Sequence, residues 1–101
     1  MLAEFTIFPI GEGVSLSKYV SRSLDLIDKS GLSYRINPMG TVVEGDWDEV
    51  MELIKKCHMA IGEDTQRVST TIKIDDRKGV KNALDRKIKS VEEKVGRELK
   101  K

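Results

Sequence analysis

From Leu2 to Pro9 apolar and polar side chains alternate, with Ala3, Phe5 and Ile7 on one side and Glu4 and Thr6 on the other. A period of two predicts a strand lying with one face on a core. Pro9, Gly11 and Gly13 end it. The period then changes: Leu16, Tyr19, Val20, Leu24 and Ile27 recur at helical spacing, with Ser15 placed to cap the start and Gly31 to follow the last turn. Ser33 to Glu44 is rich in β-forming residues but is broken by Asn37-Pro38-Met39-Gly40, so it reads as two short strands, 33–37 and 41–44, joined by a tight turn. Asp46 with Glu49 three residues on forms a capping-box pattern ahead of the stripe Val50, Leu53, Ile54, Cys57 and Ile61, a second helix that Gly62 ends. Gln66 to Asp75 alternates again, Val68, Thr70, Ile72 and Ile74 against Arg67, Ser69, Thr71 and Lys73. A last helix from about Gly79 carries Val80, Leu84, Ile88, Val91, Val95 and Leu99.

The resulting order is β-α-β-β-α-β-α. Its first six elements form a split βαβ unit, the α+β ferredoxin-like pattern. Right-handed crossovers then order the strands 4-1-3-2 in an antiparallel sheet, with the helices on one face. No internal repeat or linker divides the chain, so residues 1–101 read as one domain.

This topology gathers distant segments on one rim. The end of the first strand (Pro9), the turn between the second and third (Asn37, Met39, Thr41), the start of the fourth (Arg67, Ser69) and the end of the second helix (His58, Met59) all arrive there. Each has a plainer reading. His58 is the only histidine and suits the edge of a core. Pro38-Met39-Gly40 is ordinary turn chemistry. Trp47, at the other rim, reads as a packing residue. Gly11-Glu12-Gly13 precedes a helix start but lacks phosphate-loop spacing.

Composition narrows the function. Lys and Arg number 18 against 17 Asp and Glu, a net charge of +1, which gives no electrostatic drive toward nucleic acid or an anionic membrane. The third strand, 41–44, also lacks the aromatics on which RNA-binding relatives of this topology stack bases. Cys57 is the only cysteine, excluding an intrachain disulfide and a cysteine metal cluster. No apolar run approaches the roughly 18 residues of a membrane span, and no signal-peptide pattern opens the chain, so a cytoplasmic location is expected. High charge with a single glutamine suits a thermophile. Catalytic constellations are mostly absent, and Cys57 and His58 diverge by about 100° around their helix. A non-catalytic binding module is therefore expected. A regulatory domain for another small metabolite or anion is the alternative, and an RNA-binding domain ranks lower.

The run Tyr34-Arg35-Ile36-Asn37-Pro38-Met39-Gly40-Thr41-Val42-Val43-Glu44-Gly45, followed by Asp48-Glu49 and His58, resembles the small thiamine-binding proteins of ferredoxin-like fold. So do Phe5 to Pro9 with Gly11, Arg67 to Arg77, and Leu84 to Val91. The resemblance covers nearly the whole chain. It implies binding of thiamine or its hydroxymethylpyrimidine part without any catalytic cofactor, and a homo-oligomer, dimer or tetramer. Asn37, Met39 and Thr41 are the candidate ligand residues that fall within the matching run, whereas Pro9, His58 and Ser69 join them from topology. Glu12 or Tyr34 would be needed to neutralise a thiazolium cation at this rim. If the helices cover one sheet face, the other, carrying Leu2 and Phe8, is left for a second subunit.

Overall fold

The computed structural model describes residues 1–11 and 17–100. Ser15, expected as a helix cap, and Glu12 and Gly13 lie outside them. Seven elements follow in the expected order: β1 (Leu2–Pro9), α1 (Ser17–Lys29), β2 (Ser33–Asn37), β3 (Gly40–Glu44), α2 (Trp47–Gly62), β4 (Val68–Asp75) and α3 (Ala83–Val95). The strands form one sheet in the order β2-β3-β1-β4, antiparallel at every step. This is the split βαβ arrangement that the order of elements implies.

Register decides which side chains are buried. Ala3 and Phe5 lie opposite Val43 and Thr41 on β3, and opposite Ile74 and Ile72 on β4. Paired residues share a face, so this set turns toward α1 and α2. The core there joins Ala3, Phe5 and Val43 of the sheet to Ile27 of α1 and to Val50, Leu53, Ile54 and Cys57 of α2, all under 5% exposed. The stripe expected on α2 is the set buried, with Ile61 completing it. At its start the Asp46 carboxylate accepts from the Glu49 amide at 2.9 Å, and Glu49 accepts from the Asp46 amide at 3.2 Å. Two amides that the first turn leaves without intrahelical partners are thus satisfied. Trp47, expected as a packing residue, is 55% exposed.

The third helix departs from expectation. It lies across the sheet face opposite α1 and α2, not beside them. Arg35 of β2 pairs with Asp85, and Lys87 pairs with Asp75 of β4, both sheet partners belonging to that opposite face. Leu84 and Ile88 face Leu2 and Val42 across a cleft. The physical reason is room: α1 and α2 already fill the first face, and an amphipathic stripe settles on whichever apolar surface remains. Its span is also shorter than the pattern implied. Asn82, at φ +59°, precedes it, and Gly96, at φ +81°, ends it by donating to the Glu92 carbonyl at 2.8 Å. Asn82 offers no side-chain cap. Instead the Glu44 carboxylate, at the end of β3, accepts from the amides of Ala83 at 2.7 Å and Leu84 at 3.4 Å. No residue of α3 is fully buried.

Candidate functional site

β1 runs eight residues and β3 only five, because the Pro38-Met39 turn stops the hairpin early. Pairing between them ends at Phe5 and Thr41. Beyond that level β1 is flanked by β4 alone, through Pro9 opposite Val68. The sheet therefore has a notch, bounded by Ile7 and Phe8, by the turn, and by α1. Gly40 lies at its corner, where an added Cβ would come within 3.0 Å of Thr6 Oγ1 and 3.2 Å of the Phe5 carbonyl. The Thr6 hydroxyl donates to the Met39 carbonyl at 3.1 Å and ties the turn to β1.

The notch opens into a cavity of about 420 Å³, within the usual range for small-molecule sites. Its inner wall is apolar, with Phe5, Leu24, Ile27 and Ile61 at the floor. Phe8, Val20, Ile36 and Met39 surround it and remain largely exposed, Met39 at 86% and Phe8 at 48%. Exposed apolar side chains scattered singly are common, but four around one cavity are not. Polar groups are few: Thr6, Ser23, Asn37, Thr41 and Thr71. None of the described residues in the wall carries a charge. Behind α1, Arg22 donates to the Ala60 carbonyl at 3.2 Å and pairs with Asp64, fastening α1 to the end of α2. The guanidinium holds the Asp64 carboxyl below the usual carboxylate range.

Of the six residues singled out in the sequence, Asn37, Met39 and Thr41 come together in this wall. Pro9 is buried at the end of β1, one position past the wall. His58 turns to β4, where Nδ1 shares a 2.6 Å hydrogen bond with Thr70 Oγ1. Ser69 is exposed on the face that α3 shares, opposite Phe8. Tyr34 does not reach the rim, since its hydroxyl donates to Asp28 at 2.8 Å. Ser23 was not singled out. Its signal was a polar residue on the stripe of Tyr19 and Ile27, four residues from each. Its hydroxyl is shielded from solvent and has no hydrogen-bond partner among the described residues. No group of three or more His, Cys, Asp or Glu among the described residues is arranged to hold a metal ion.

A family model described as thiamine-binding protein matches residues 3–92. The chain belongs to that family. The stretch matched within the thiamine-binding protein family takes in β1 from Ala3 onward, the other three strands, both core helices and most of α3. The UPF0045 protein MJ1052 of Methanocaldococcus jannaschii is 41% identical over 93 residues, covering 92% of this chain and 93% of that one. A UPF0045 protein of Methanothermobacter thermautotrophicus is 42% identical over 96 residues, covering 92% and 97%. The crystal structure of MJ1052 superposes with a TM-score of 0.84 over 91% of this chain and 95% of its own. A Thermotoga maritima structure, named for a provisional role in thiamine biosynthesis or salvage, superposes at 0.76 over 89% and 96%. At 22% identity it speaks to the fold alone.

Proposed function

We propose that the chain binds thiamine or its hydroxymethylpyrimidine part in the notch between β1 and the β2–β3 turn, as a non-catalytic, cytoplasmic homo-oligomer. The observation that carries this reading is the cavity itself. It is an apolar slot of ligand size with a few directed polar groups, in a chain of the thiamine-binding protein family. Asn37 and Thr41 supply hydrogen bonds, and Met39 a pliable apolar surface for a flat ring. Neither the His58 nor the Ser69 side chain belongs to the cavity wall. The exposed apolar side chains at the mouth, Phe8, Val20, Ile36 and Met39, favour a second subunit close to the notch. An RNA-binding role has less support, because α3 lies over the sheet face on which such domains stack bases.

Native mass spectrometry of protein purified from cells, with thiamine or the free pyrimidine then titrated in, reads subunit number and bound mass together. The expected result is a dimer or tetramer carrying one ligand per chain with a micromolar Kd, about −8 kcal/mol. Asn37→Ala should weaken binding by about 1–3 kcal/mol, as for an unpaired polar partner. A bare monomer that takes up neither compound overturns the reading.

A further inference from the structure

The main chain of β1 offers its own hydrogen-bonding edge at the notch, and the ladder phase shows which residue presents it. In an antiparallel pair, bond-exchanging and non-exchanging positions alternate along the strand. The Ile10 amide donates to the Arg67 carbonyl at 2.8 Å. Even-numbered residues of β1 therefore exchange bonds with β4, and odd-numbered residues turn their N–H and C=O toward β3. The Gly45 amide, which donates to the Met1 carbonyl at 3.1 Å, fixes the same phase from the other side. β3 meets Ala3 and Phe5 but begins at Gly40, level with Thr6. Ile7 is thus the first residue whose N–H and C=O face the β3 side with no strand to receive them. No described residue takes either bond. Pro9, the next in phase, has no N–H to leave over, so proline is tolerated there.

Ile7 is part of the cavity wall. Polar groups left without partners in an apolar setting are costly. A peptide N–H and C=O side by side complement a heteroaromatic edge that carries a ring nitrogen acceptor next to an amino donor. Resting on the reading of the notch as the ligand site, we infer that the Ile7 main chain reads the aminopyrimidine edge of the ligand. The Ile7 N–H donates to the ring nitrogen, and the Ile7 carbonyl accepts from the amino group. The apolar walls fix the ring plane. Recognition then rests on the pyrimidine and requires nothing of the thiazolium.

A site built to bond a polar group rejects the analogue that lacks it, because its own groups are left unpaired. The test titrates the hydroxymethylpyrimidine, and its analogue without the amino group, into isotopically labelled protein by calorimetry and amide NMR. The expected result is at least tenfold weaker binding of the analogue and a downfield shift of the Ile7 amide proton with the parent compound. Equal affinity for the two compounds, or a parent that binds without moving the Ile7 amide, overturns this inference and leaves the notch as a thiamine site. Failure of both pyrimidine and thiamine to bind overturns the two readings together.

Discussion

Cys57 lies between α1 and α2, fully shielded, its Sγ 3.8 Å from the Ser23 carbonyl. Burial pushes the thiol up to about 11, and the Ser23 side chain opposes the shift only in part. A raised thiol favours the protonated form in the folded chain. The stability it contributes is intact below the ordinary value of 9.0 and is lost as pH climbs toward 11. At pH 8 the native protein should therefore resist iodoacetamide, while the urea-unfolded chain labels at the rate of a free thiol. Native labelling at that free rate would show that the helix pair opens readily. The place of Cys57 was legible, since its spacing put it on the buried stripe of α2. That of His58 was legible only in outline, because helical angle separates it from Cys57 without saying that β4 would supply Thr70. Ser23 left a fainter trace. A hydroxyl on an apolar stripe stands out, but sequence cannot tell whether a neighbour satisfies it.

The two C-terminal helices differ in what secures them. α2 has its capping box and five buried side chains, each readable in the sequence. Asp46→Ala removes the carboxylate that accepts from Glu49 and should cost about 1 kcal/mol, seen as a lower urea midpoint with unchanged slope. A midpoint equal to wild type would mean that water satisfies those amides as well. α3 has neither device. Its apolar spacing was plain, but a stripe states only that one side of a helix is buried, not which face of a sheet receives it. The choice depended on Arg35, Asp75 and Glu44, residues that sequence alone could assign to either partner or solvent. Its end was marked by Gly96, inside what read as a continuous pattern from Val80 to Leu99.

At the scale of the whole chain the order of elements was enough to set the strand order, because right-handed crossovers leave few alternatives. The notch was implicit in unequal strand lengths, eight residues against five. Its depth and its α1 wall needed the fold. The sheet face expected to be bare is partly covered, so Leu2 is shared with α3 while Phe8 stays open at the notch mouth. The cap of α3 has a further consequence. Its first amides are held by a carboxylate from a strand distant in sequence, so the helix loses its cap whenever it lifts from the sheet. A helix of 13 residues without tertiary support is marginal in water. Undocking and unwinding should thus be one event, leaving the other six elements intact. Native-state hydrogen exchange should show the amides of residues 83–95 opening together and well before those of α2, which await global unfolding. Equal protection of the two helices would instead place α3 inside the same cooperative unit as the core.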